Sequence, residues 1–161
     1  MSTKTEALAA RFEQASNDFA STIKALSDAH WQAKTAEEGW TVAATAHHAA
    51  GSTGPISMIA QSAATGSPMP PITADGLNDM NAEHAQQYAH VSREDTLALL
   101  RETTAPAASL VRALSDDQLS GKATLPLGME LTAEQIIENV LIGHITGHAA
   151  SIQAVKPARS D

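Results

Sequence analysis

The stretch that decides the reading is Thr132-Ala-Glu-Gln-Ile-Ile-Glu-Asn-Val-Leu-Ile-Gly-His144-Ile-Thr-Gly-His148-Ala-Ala-Ser-Ile-Gln-Ala-Val155. Thr132 is a good helix N-cap, and Pro157 lies just past the far end. At about 100° per residue, with Leu141 at about 0°, Ile137 falls near −40°, Ile145 near +40°, Ile152 near +20° and Val155 near −40°. His148 falls near −20° and His144 near −60°, so both lie inside the apolar stripe. Four residues apart, they stack on one face, one turn apart. That is the spacing with which a helix offers two nitrogens to one metal ion. Ile145 occupies the position where zinc proteases carry their glutamate base, which disfavours peptide hydrolysis of that type.

Working outward, residues 3–29 show apolar positions at Leu8, Phe12, Ala15, Phe19, Ile23 and Leu26, spaced for an amphipathic helix. Residues 31–39 read as irregular. Thr41 caps an Ala-rich helix to about residue 64, with Pro55 predicting a kink. Residues 65–71 read as a loop. A weaker helix follows over 75–90. Ser92 and Asp95 suggest a capping box for a third long helix to about Leu114, interrupted by Pro106. Residues 115–119 resemble a short helical turn, and 121–131 an extended loop or small hairpin.

On the Ala-rich helix, with Ile59 at about 0°, His48 falls near −20° and His47 near −120°. His48 therefore points inward and His47 lies toward a flank. Three core-facing histidines result: His48, His144 and His148. They hold a metal or form a neutral hydrogen-bonded core network; an unsatisfied buried ring costs about 1–3 kcal/mol. His30, His84 and His90 sit at element edges among polar residues and read as structural. No Gly-x-Ser-x-Gly elbow and no glycine-rich phosphate loop occurs.

Composition sets the bounds. The 161 residues include 32 alanines and only 3% aromatics, which favours helices over a β-sandwich. Four long helices predict an all-α, antiparallel four-helix bundle with room for a non-sequential topology. The length fits one domain spanning 1–161. The net charge of −8 opposes nucleic-acid and anionic-membrane binding. No apolar run is long enough to cross a membrane, and Met-Ser-Thr-Lys-Thr-Glu-Ala-Leu lacks a signal-peptide core, so the expectation is a cytoplasmic protein. With no cysteine, thiolate catalysis and Cys-ligated zinc are excluded.

Gly39-Trp40-Thr-Val-Ala-Ala-Thr-Ala-His-His48 and His144-Ile-Thr-Gly-His148-Ala-Ala-Ser-Ile, with the middle stretch 78–119, resemble the DinB-like (YfiT-like) superfamily across essentially the whole chain. The resemblance implies a four-helix bundle with a long crossover connection. It also implies a divalent metal, zinc or nickel in many members, on three histidines that correspond here to His48, His144 and His148. Some relatives are mycothiol- or bacillithiol-dependent S-transferases or maleylpyruvate isomerases. The leading functional expectation is thus a metal that activates a low-molecular-weight thiol against an electrophile, with Trp40 and Met58 read first as core packing and second as pocket lining. The alternatives are a metal-assisted hydrolase, with Glu138 as a weak general acid or base, and a non-enzymatic, stress-related metal- or ligand-binding bundle. A homodimer fits the Ala-rich helix faces.

Overall fold

The computed structural model describes residues 2–157. The long helices are α1 (Thr3–Ala25), α3 (Val42–Thr65), α5 (Arg93–Arg112) and a last helix. The last helix begins with the turn α7 (Ala133–Gln135), passes through the π-helical segment Ile136–Ile142 and ends as α8 (Gly143–Gln153). Shorter pieces connect them: α2 (Asp28–Gln32), α4 (Ala74–Gln87), α6 (Asp116–Leu119) and an antiparallel pair, β1 (Lys122–Thr124) with β2 (Glu130–Thr132).

Caps fix the starts. Ser115 with Gln118 and Thr132 with Gln135 form full reciprocal capping boxes. Ser92 accepts from the Asp95 backbone N–H. The first helix stops at Ala25, four residues before the expected end, because Ser27 caps a new turn by accepting from His30 N–H. The small hairpin expected over 121–131 forms, and α3 runs as one helix through Pro55.

The four long helices form the expected bundle, in the ring order α1, α5, α3, last helix. Side-chain links fix their directions. Lys4 meets Glu134 and Gln153 meets Thr22, so α1 and the last helix run parallel. Glu6 and Glu13 both meet Arg112, so α5 opposes α1. Thr41 donates to the Ala89 carbonyl and Thr103 approaches the Ala50 carbonyl, so α3 and α5 run alike. The crossover α4 makes that possible by returning the chain along α3.

The core is one contiguous cluster. Phe12, Phe19 and Ile23 of α1 meet Leu100 and Val111 of α5 and Ile136, Ile137, Leu141, Ile145 and Ile152 of the last helix. Each fully buried isoleucine contributes on the order of 2 kcal/mol. From α3 the contribution is mostly alanine, including Ala43, Ala46, Ala49, Ala50, Ala60 and Ala63. Small side chains there let neighbouring backbones approach.

The π-helical segment departs from the uniform α-helix that the sequence predicts. Its buried residues come as two adjacent pairs, Ile136–Ile137 and Leu141–Ile142, five positions apart. A regular α-helix would rotate the second pair about 140° from the first. The wider i→i+5 turn brings both to the core, and such segments often lie beside functional sites. His144 follows two residues after it.

Candidate metal centre

The histidines collect at the end of the bundle where α1 finishes and α3 begins. Thr41 fixes that corner: its hydroxyl accepts from Ala44 N–H at 3.1 Å and donates to the Ala89 carbonyl at 2.8 Å. His48 lies two turns into α3. His144 and His148 face it from α8, one turn apart. The Nε2 atoms of His48 and His144 are 3.1 Å apart, and those of His148 and His144 are 3.2 Å apart. One ligand nitrogen from each of the three lies within 4.8 Å of the others. The sequence-derived trio is thus brought together.

Burial favours the neutral form of His48 and His144. It pushes His48 down to about 4, with His148 and His84 adding to the effect. It pushes His144 down to about 3, with His148 and His48 adding to the effect.

Protein hydrogen bonding cannot satisfy this cluster. In the plane of its ring, His144 Nε2 carries either one proton or one lone pair. It therefore completes one of its two contacts and leaves the other unmade in every protonation state. His144 Nδ1 is also buried with no partner. A divalent cation resolves the convergence, because it accepts all three lone pairs at once. Metal–nitrogen bonds of about 2.0–2.1 Å put neighbouring ligand nitrogens about 3–3.4 Å apart. The donor set therefore fits a divalent metal, and three imidazoles leave coordination positions open.

A carboxylate stands behind one of the rings. His148 Nδ1 lies 3.0 Å from Glu38 Oε1, at ion-pair distance, and the other carboxylate oxygen accepts from Ser151 Oγ at 3.1 Å. Burial alone would raise the Glu38 carboxyl. Hydrogen bonds from Thr35, Ser151 and its own backbone N–H, with the nearby His148, outweigh burial and hold it below its ordinary range. Trp40, two residues on, packs edge-on against His48, with ring centroids 5.4 Å apart and planes at 75°.

Beside the trio lies a second aromatic group. His47 Nδ1 is 2.9 Å from His84 Nε2, and the His47 ring stacks on Tyr88 with centroids 3.9 Å apart. His84 also meets the His48 ring edge-on at 5.7 Å. Burial lowers both His47 and His84.

Several expectations need correction. Met58 is 63% exposed, because its position on α3 faces away from the bundle, so it is not core packing. Glu138 pairs with Arg11 of α1 at 2.7 Å, which draws its carboxylate onto the surface between two helices. His84 is not an isolated edge residue, since α4 carries it against His48. His30 and His90 do read as structural: His30 Nε2 meets the Val155 carbonyl at 2.8 Å, and His90 meets Gln32 at 3.0 Å. Sequence reasoning missed Glu38, whose one signal is its place two residues before Trp40. It also missed the His84–Tyr88 pair, visible as an i, i+4 aromatic spacing near the end of α4.

The model of the DinB superfamily matches residues 11–152. No curated protein matches the chain. Among solved structures, the chain is similar to the mycothiol-dependent maleylpyruvate isomerase, both wild type and a mutant. The identity is 16% and the TM-score 0.74, over 94% of this chain and 61% of that one, so this chain spans about 61% of that enzyme's length. It is also similar to YfiT from Bacillus subtilis, described as a probable metal-dependent hydrolase with an unusual four-helix bundle topology. There the identity is 19% and the TM-score 0.75, over 95% of this chain and 86% of that one. At these identities the structural likeness carries the fold, and the match across residues 11–152 carries the kinship: the chain belongs to the DinB superfamily.

Proposed function

We propose that this chain, as one four-helix-bundle domain, is a metal-dependent enzyme in which His48, His144 and His148 hold zinc or nickel and a low-molecular-weight thiol is the co-substrate. The observation that carries the reading is the convergence of three Nε2 atoms, with contacts of 3.1 and 3.2 Å on His144 that no arrangement of protons completes. A divalent ion bound there acts as a Lewis acid with open positions, favouring the deprotonated form of a thiol or of water near neutral pH. The protein's own contribution is positional. The helices α3 and α8 set the three nitrogens, Glu38 anchors the His148 ring and Trp40 covers one edge of His48.

Thiol transfer or isomerisation is preferred over hydrolysis because no carboxylate on the last helix is free to serve as a base: Glu138 is held by Arg11. The mycothiol-dependent neighbour supports the same preference. Metal-assisted hydrolysis is the second reading, favoured by the likeness to YfiT over 86% of that chain. Elemental analysis of tag-free protein, purified without a nickel column, tests the site. About one equivalent of a divalent metal is expected in wild type and none in His144→Ala. Equal metal content in the two proteins overturns the assignment. Thiol-dependent turnover of an electrophile, set against thiol-free ester turnover, then separates the two chemistries. Light scattering checks a homodimer.

A further inference from the structure

We propose that Glu38 is a positioning residue for the centre, holding His148 in the Nδ1–H tautomer so that its Nε2 presents a lone pair toward His48 and His144. The inference rests on the metal-site reading above and adds to it the group that orients one ligand.

The geometry is specific. Glu38 Oε1 lies 3.0 Å from His148 Nδ1, on the edge of the ring away from His144, and both side chains are only about 15% exposed. A carboxylate offers only lone pairs, and an Nδ1 lone pair facing it at this distance would be repelled, so the contact favours the proton on Nδ1. Ser151, one turn beyond His148 on the same helix, donates to the other oxygen at 3.1 Å and fixes the plane of the carboxylate. Glu38 is itself delivered by a tight turn. Thr35 N–H donates to the Trp40 carbonyl at 2.8 Å and Gly39 N–H donates to the Thr35 carbonyl at 3.1 Å. Gly39 has φ +71°, a left-handed conformation that glycine adopts without a Cβ penalty.

The same turn places Trp40 on His48 and leads directly into α3. A single short segment thus places a carboxylate against one histidine and packs against a second. His144 has no such support, since its Nδ1 is buried without a partner. Carboxylate anchoring of a ligand histidine fixes ring orientation and raises its basicity, and its loss typically weakens metal affinity about 10–100-fold.

The test compares wild type, Glu38→Gln, Glu38→Ala and Ser151→Ala. Nitrogen-15 NMR of metal-free protein reads the His148 tautomer, and competition against a chelator reads zinc affinity. Wild type should show the Nδ1–H form. Glu38→Ala should shift His148 toward Nε2–H and weaken zinc about 10–100-fold. Glu38→Gln keeps an accepting oxygen, so a smaller change in the same direction is expected. Ser151→Ala should show the smallest change. An unchanged tautomer and affinity in folded Glu38→Ala overturns the proposal. If Glu38→Ala does not fold, an Nε2–H form in wild type, or wild-type zinc affinity with a mixed tautomer in Glu38→Gln, overturns it instead. If neither wild type nor His144→Ala binds zinc, the metal-site reading fails, while the wild-type tautomer still decides the role of Glu38.

Discussion

Two histidine groups lie side by side at one end of the bundle, and the chemistry of each follows from counting protons. His47 and His84 share one 2.9 Å contact, which a single N–H satisfies, and Tyr88 closes the stack. His48, His144 and His148 share two contacts at one nitrogen, which a single N–H cannot satisfy. Burial pushes four of these five rings toward the neutral form. Neutrality therefore does not distinguish the groups. The difference lies in convergence, and in the Glu38 carboxylate set directly against a ring of the trio. Adjacent residues of one helix, His47 and His48, fall on opposite sides of that divide.

The strongest way to break the comparison is to exchange those neighbours. His48→Ala should lose the metal, lowering affinity more than about 100-fold by removing one of three ligands. His47→Ala should retain near-wild-type metal content. Equal retention in both variants, measured by elemental analysis, would place the metal elsewhere.

Acid stability comes next in size. The unfolded chain protonates His48 and His144 near pH 6.5, whereas the folded cluster resists until about 4 and about 3. Between those limits the unfolded state binds more protons. Stability is therefore fully present above about pH 6.5 and is lost as pH falls towards about 4 and about 3, on the order of 3 kcal/mol from His48 alone. Urea unfolding of metal-free protein from pH 7 to pH 4 measures it. The loss should shrink in His144→Ala. A flat profile in wild type would mean that the rings are solvated, and the comparison would lose its basis.

How much of this was legible in the sequence depended on periodicity. His144 and His148 were visible because a helix repeats, and the phase of α3 singled out His48 over His47. The same arithmetic failed at the π-helical segment, where Ile136 is buried although a uniform α-helix turns it off the stripe. Glu38 sits in a turn, where side-chain direction has no period to read. His84 was hidden because its partners come from α3, brought near by a crossover whose path local pattern does not encode. Glu138 lay at the edge of the predicted stripe, and its Arg11 partner decided where it pointed. Met58 lay about −100° from Ile59, off the stripe, so the phase that placed His47 on a flank also placed Met58 outside.

A variant that weakens the fold far from both groups calibrates the rest. A Cβ on Gly121 would lie 2.3 Å from the Ala63 carbonyl oxygen at the opposite end of α3. Backbone cannot yield there as a flexible side chain does, so Gly121→Ala should cost about 1–3 kcal/mol. Metal content per folded molecule should be unchanged. If metal is lost in step with stability, loss in the histidine variants would no longer identify ligands, and chelator competition at matched folded fraction would be needed to separate them.

The smallest expected effect is the most discriminating for the second group. His84→Phe keeps an aromatic ring against Tyr88 and against the edge of His48, but removes the nitrogen that faces His47. One lost hydrogen bond at a half-buried site is worth about 1 kcal/mol. Chemical denaturation should show that loss, with metal content and affinity intact. A His84→Phe protein that is equally stable but binds metal poorly would reverse the assignment. It would mean that α4 reaches into the coordination shell and that the two groups form one site. Retained affinity with a modest stability loss would instead show that proximity to His48 is packing, and that convergence on His144 Nε2 marks the boundary of the centre.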